Sequence, residues 1–344
     1  MTKHNYQRSE SILYSAFNTP RFHRIIIEPG IILAKILVVV RGPVNISGGT
    51  TNGVSAGENP GGLIARFEVD AVANSSNYPA GKLKNVIPRG VLRKRNYDKG
   101  FYRNDLNNYT GITGSAGTPS ATLLTPFDLR FCIPGLGKPI ETGLRLDNYS
   151  SIMLKITTGV QTTMLTGNDR VWDVSGVSLE VTEFREFAQT PDKTGKLVDL
   201  QPPVVLYEED IVVPITAAMN RMPFDQFLSA GAYHDILWVA ETTGQALSDA
   251  ILSEIFMRTG AEQFFDQISD SIKAEQQEYL SDQPNLTGLT SQVGLYYTPL
   301  NKDLGQERAG LGGAVPNVGA TATVAHPGTD QVTVCTRRFI PVPA

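Results

Sequence analysis

A chain of 344 residues is too long for one ordinary β-sandwich and suits two domains, each able to bury a core. Hydrophobic residues make up 41% and charged residues only 19%, a balance that suits a protein hiding much of its surface against neighbours. The formal net charge of −4 excludes a generally basic nucleic-acid coat, and the two cysteines, Cys132 and Cys335, exclude a disulfide scaffold.

Residues 1 to 20 read as an arm, polar but carrying the apolar beads Ile12, Leu13, Tyr14 and Phe17. Met1 to Asn18 is too polar and too charged for a secretory signal, so synthesis in a cytoplasm is expected. Strand text begins at Phe22-His23-Arg24-Ile25-Ile26-Ile27, stops at the turn signal Glu28-Pro29-Gly30, and resumes from Ile31 to Val40 with β-branched residues. This run is the most apolar of the chain, yet it is interrupted by charge and shorter than a membrane-crossing helix. A Gly/Ser/Thr/Asn loop from Ser47 to Gly62 leads to a further strand, Leu63 to Val69.

Apolar runs at Ala121–Ile133, Ile152–Thr157 and Val177–Phe187 continue the pattern. In the last, Val177, Leu179, Val181 and Phe184 are interleaved with Ser178, Glu180, Thr182 and Glu183, as in a half-buried strand. The polar text of Gln189 to Pro203 ends in a Pro-Pro pair, which places a linker at 191–203 between a first domain, 21–190, and a second, 204–344. Strands are expected at Val204–Tyr207, Ile211–Ile215, Asp235–Ala240, Ile251–Met257, Val293–Thr298, Ala320–Ala325 and Gln331–Ile340. Phe264, Phe265, Ile268, Ile272 and Tyr279 recur at helical spacing and predict an amphipathic helix over Ala261–Leu280. The fold class is therefore all-β, with sandwiches as the architecture and one long helix in the second half. No sequence repeat relates the halves.

Chemistry is sparse. The four histidines, His4, His23, His234 and His326, form no metal motif with each other or with a cysteine; only His23, His234 and Glu28 could be gathered by a fold. Neither a Gly-x-Ser-x-Gly elbow nor a phosphate loop occurs. No catalytic residue, metal or cofactor is assigned, and the chain is read as no enzyme. One constellation rises above background: Lys82, Lys84, Arg89, Arg93, Lys94, Arg95, Lys99 and Arg103, with Tyr97, Phe101 and Tyr102 between them. It reads either as a basic contact with nucleic acid or anionic lipid, or as a positive face paired with acidic residues of a neighbour or of the chain itself.

The order of elements resembles the double-jelly-roll major capsid proteins of icosahedral, tailless, membrane-containing bacteriophages. The resemblance lies in the arm leading into Phe22 to Gly42, the Gly/Ser/Thr loop, Leu63 to Asp70, and Lys82-Leu83-Lys84-Asn85-Val86-Ile87-Pro88-Arg89. In the second half it lies in the helix before Gly294-Leu295-Tyr296-Tyr297 and in the tail Val332 to Ile340. It implies two eight-stranded jelly rolls per subunit, a homotrimer forming a pseudo-hexagonal capsomer, and an icosahedral shell in the virion, assembled in the host cytoplasm. Implied partners are further copies of the chain, penton and minor capsid proteins, and the lipid of an internal membrane, with no sequence-specific nucleic acid. The arm residues Ile12, Leu13, Tyr14 and Phe17 and the basic stretch would then contact neighbours or the inner face. A rival reading is a carbohydrate- or receptor-binding sandwich of a phage spike, which would need Trp172 or Trp238 exposed for stacking.

Overall fold

The computed structural model describes residues 6–47, 54–55, 62–98, 121–132, 142–160, 165–166, 171–191, 194–224, 232–242, 247–259, 262–281, 293–300, 315–316 and 318–342. The chain divides into two compact units, one of Met1–Leu92, Asn104–Tyr207 and Pro341–Ala344, the other of Arg93–Arg103 and Glu208–Ile340.

Among the described residues the first unit has eight strands of five residues or more: β1 (Tyr6–Leu13), β2 (Pro20–Ile25), β3 (Ile31–Ser47), β4 (Ile64–Ala73), β5 (Gly81–Val86), β6 (Ala121–Arg130), β7 (Tyr149–Thr158) and β8 (Ser178–Phe187). A helix, α1 (Pro88–Asp98), follows β5, opened by a proline whose fixed φ suits the first turn. One sheet runs β1-β8-β3-β6 and the other β2-β7-β4-β5, all antiparallel. The inward faces meet in a core that includes Val38, Val40, Phe67, Val69, Phe127, Ile152, Leu154, Leu179 and Val181, each fully buried. Phe67 and Phe127 touch across it at 5.3 Å between ring centroids. Strand β3 leaves β8 near Gly42 and pairs instead with Val171–Asp173. Gly42 has φ +132°, and a Cβ there would lie 2.3 Å from the carbonyl oxygen of Gly176, so only glycine fits.

The second unit again has eight such strands: β9 (Val204–Ile215), β10 (Met219–Phe224), β11 (Ala232–Thr242), β12 (Leu252–Thr259), β13 (Glu262–Ile268), β14 (Leu295–Pro299), β15 (Val318–Val324) and β16 (Asp330–Pro341). Helix α2 (Ser269–Ser281) follows β13. The sheets run β9-β16-β11-β14 and β10-β15-β12-β13. In both units, then, the first strand pairs with the eighth, the eighth with the third and the third with the sixth; the second, seventh, fourth and fifth form the other sheet. This is the jelly roll, a double Greek key, and the helix follows the fifth strand in each. The second core holds Phe224, Ile236, Trp238, Ile255, Met257, Tyr296, Val332 and Val334, with Ile272 of α2 packed into it.

Within the stretch read as an arm, Tyr6–Leu13 is a strand whose eight residues all pair with β8. Two expectations are corrected. The helix expected over 261–280 is strand up to Ile268 and helix only from Ser269: the aromatic spacing is shared by two elements, and Gln263, Asp266 and Ile268 face outward in strand alternation. In β8 the inward face runs Leu179, Val181, Glu183, Arg185, so Phe184 points out and two charges point in.

Candidate interaction surface

The inward-facing charges of the first unit form one cluster. His23 of β2 is buried, with Nδ1 2.6 Å from a Glu10 carboxylate oxygen and Nε2 2.7 Å from one of Glu183. Both ring nitrogens therefore lie within hydrogen-bond distance of a carboxylate oxygen. Arg185 donates from Nε to Glu183 at 2.8 Å, reaches Glu28 at 2.9 Å, and donates to the Ile26 carbonyl at 3.0 Å. Burial alone would raise the Glu183 carboxyl, but the hydrogen bonds and charges of His23 and Arg185 outweigh it and hold it below the usual range. Glu28 and His23 are thus taken up by Arg185 and by two carboxylates. Among the described residues no group of three His, Cys, Asp or Glu side chains is placed to hold a metal ion.

The basic stretch is split by the fold. Lys82 of β5 pairs with Glu68 at 2.5 Å, and Lys155 reaches the other oxygen of that carboxylate at 2.6 Å. Lys84 points inward, fully buried, its ammonium 4.8 Å from the centre of the Phe131 ring. Arg89 is half-buried near the start of α1. Lys94, further along α1, is buried and sits 3.1 Å from Asp210 and 3.7 Å from Glu208. Burial opposes its charge, yet the two carboxylates more than compensate, and its pKa is raised. Arg93 and Arg95 lie on α1 without described side chains; Lys99 and Arg103 lie outside the described residues. Lys84 and Lys94 are therefore interior cations and not part of an open basic patch.

The arm residues divide similarly. Tyr14 is buried and donates its hydroxyl to the Leu63 carbonyl at 2.5 Å, and Phe17 packs edge-on against it at 6.0 Å. Ile12 faces inward opposite Leu179, while Leu13 is 68% exposed.

Other charges in the second unit are internal too. Asp235 on β11 takes both oxygens to Arg337 Nε at 2.7 and 2.9 Å and accepts from the Tyr297 hydroxyl at 2.8 Å. His234 is buried beside it, Nδ1 2.5 Å away. Asp235 is buried, but Arg337 and His234 hold its carboxyl far below the usual range. Sequence reading missed these clusters because partners up to 160 residues apart meet only through strand pairing. The available signal was alternation: His23 shares a strand face with Ile25, and Glu183 shares one with Val181.

No protein-family model matches the chain, and no curated protein does. Solved structures do. The major capsid protein of Sulfolobus turreted icosahedral virus aligns at a TM-score of 0.68 and 14% identity, covering 98% of this chain and 97% of that one. The fold is the double jelly roll. The major capsid protein P2 of bacteriophage PM2 aligns at a TM-score of 0.54 and 9% identity over 98% of both chains. The PBCV-1 virus capsid protein aligns at 0.56 and 12%, over 98% of this chain and 95% of that one. Each of these alignments covers 98% of this chain and so includes both units.

Proposed function

We propose that the chain is a major capsid subunit that trimerises into pseudo-hexagonal capsomers and builds an icosahedral virion shell without catalysis. The observation that carries this reading is extended likeness: capsid proteins align over 98% of this chain and over 97% and 98% of their own. Two sandwiches with rigid cores and loops free to vary suit a building block whose contacts lie at its periphery. Partners under this reading are other copies of the chain, penton and minor capsid proteins, and internal membrane lipid; the site of action is the virion, reached from the host cytoplasm.

Among the described side chains of the stretches singled out by sequence, Leu13 and Lys82 are the exposed ones, with Ile12, Phe17 and Arg89 half-buried. Of the two tryptophans that the spike-type reading would use for stacking, Trp238 is fully buried, packed on Phe224 at 5.1 Å, its Nε1–H given to Thr298, and the side chain of Trp172 lies outside the described ones. The decisive experiment is light scattering of the purified protein, with electron microscopy of any large species. A mass near three times 37.4 kDa, or closed particles, supports a shell subunit. A monomer at every salt and protein concentration overturns it.

A further inference from the structure

The buried face of α2 is mostly polar. Its described buried side chains are Ile272, Lys273 and Gln276, exposed by only 2%, 9% and 9%. An amphipathic helix ordinarily turns an apolar stripe inward, and here Ile272 alone does so, packing into the second core. The other two reach β14 and the segment leading into it. Lys273 pairs with Asp249 and stands 5.1 Å from the centre of the Tyr296 ring. Asp249 in turn accepts from the Gly294 N–H at 2.6 Å and from the Tyr296 hydroxyl at 3.2 Å. Gln276 meets the strand backbone itself. With its amide oriented so that each atom faces a complementary group, Nε2 donates to the Leu295 carbonyl at 3.3 Å and Oε1 accepts from the Tyr297 N–H.

Those two backbone groups lie on a sheet edge. Among the described residues β14 ends its sheet, with β11 as its neighbour on one side. Ala240 donates to the Gly294 carbonyl at 2.8 Å and Leu300 to the His234 carbonyl at 3.0 Å, and between these ends Trp238 stands opposite Tyr296 and Ile236 opposite Thr298. Hydrogen-bonded pairs alternate in an antiparallel ladder, so Gly294, Tyr296, Thr298 and Leu300 bond to β11, while Leu295, Tyr297 and Pro299 turn their backbone groups to the open side. A further strand would have to pair with these three. Pro299 brings no N–H, and Gln276 takes the Tyr297 N–H and the Leu295 carbonyl with the acceptor and donor that a residue of a neighbouring strand would offer.

We propose that Gln276 is a strand surrogate, through which α2 closes the edge of β14 and bars the addition of an extended peptide there. The device goes beyond the capsid reading and does not depend on it. It has a clear use, because an open edge carrying Leu295-Tyr296-Tyr297 is a template for β-aggregation. It also accounts for the buried amide. Leucine suits the same helical position and would fill it without the cost of desolvating a polar group, so packing alone gives no reason for glutamine.

The test compares wild type with Gln276→Leu, which keeps the bulk and the helix propensity and removes the amide. Residue-resolved hydrogen exchange reads the Tyr297 N–H against the Tyr296 N–H, which faces β11, and thioflavin T fluorescence during incubation reads strand addition. The expected result is a protected Tyr297 amide in wild type that exchanges at least tenfold faster in the folded variant, with Tyr296 unchanged and dye binding that grows only in the variant. A wild-type Tyr297 amide exchanging as fast as in an unstructured peptide overturns the inference, whether or not the variant folds. A folded variant with wild-type exchange at Tyr297 overturns it too, as does faster exchange without added dye binding, which would reduce Gln276 to a packing residue. Should Gln276→Leu fail to fold, Gln276→Asn, whose amide is one methylene too short to reach the strand, is read by the same two measurements with the same outcomes.

Discussion

Replacing Lys94 by methionine separates an interior cation from a contact residue. The ammonium lies 3.1 Å from Asp210 and 3.7 Å from Glu208, so at an effective dielectric of ~20 the gross attractions are about 5 and about 4.5 kcal/mol. Much of this offsets the desolvation of a buried lysine. The variant, however, removes the cation and leaves two carboxylates buried together, for which the expected cost is about 3–5 kcal/mol. The assay is denaturant unfolding followed through Trp238 in the second core, in a Trp172→Phe background. Lys94→Met should lower stability by that amount, and adding Asp210→Asn should recover at least half, because one of the two buried carboxylates is gone. Lys82→Met is the contrast: its side chain is 53% exposed, and its pair with Glu68 contributes under about 1 kcal/mol. A Lys94→Met protein within about 1 kcal/mol of wild type, with assembly lost instead, would refute the interior role and restore Lys94 to a contact surface.

Acid should destabilise the protein. Glu183, Asp235, Glu68 and Asp249 all have carboxyl pKa values held below the ordinary range in the folded state, so their contribution is complete above the unfolded value near ~4 and is lost as pH falls through the folded values. Melting temperatures should hold above about pH 5 and drop below it; a flat profile from pH 6 to 3 would contradict the assignment. Two of the glycines with positive φ should respond differently. Gly30→Ala, at φ +68° with open space around it, should cost about 1–2 kcal/mol. Gly42→Ala meets the Gly176 carbonyl and should cost more than about 3 kcal/mol, visible as lost soluble yield; equal effects would refute the close approach.

The strands were legible wherever one face met a core. Tyr149–Thr158 and Ser178–Phe187 alternate along their length, and the buried run Ile236 to Ala240 reads as continuous apolar text because β11 is covered on both faces. What could not be read was anything that depends on a partner strand. Glu10 looks like an ordinary polar residue of a tail, and only the pairing of β1 with β8 brings it to His23. The eight basic residues look like one patch because charge runs are judged along the sequence, whereas a strand followed by a helix sends neighbouring lysines to opposite sides. The helix after Ala261 was misjudged for a related reason: a strand ending in an exposed Ile268 and a helix beginning near Ile272 together imitate a single 3.6-residue period.

The low charge content of the chain gains meaning once the internal pairs are placed. Glu183, Arg185, Lys94, Asp210, Asp235 and Arg337 are all buried, so several of the few charged residues never reach solvent. Each such group is paired with an opposite charge, and some of these contacts join strands: Arg337 and Asp235 join β16 to β11, and His23 joins β2 to both β1 and β8. Charge spent on internal register leaves a surface poorer in charge than the composition suggests, and such a surface resists association less. Strand register within each unit and the low charge of the surface thus follow from one distribution of charge.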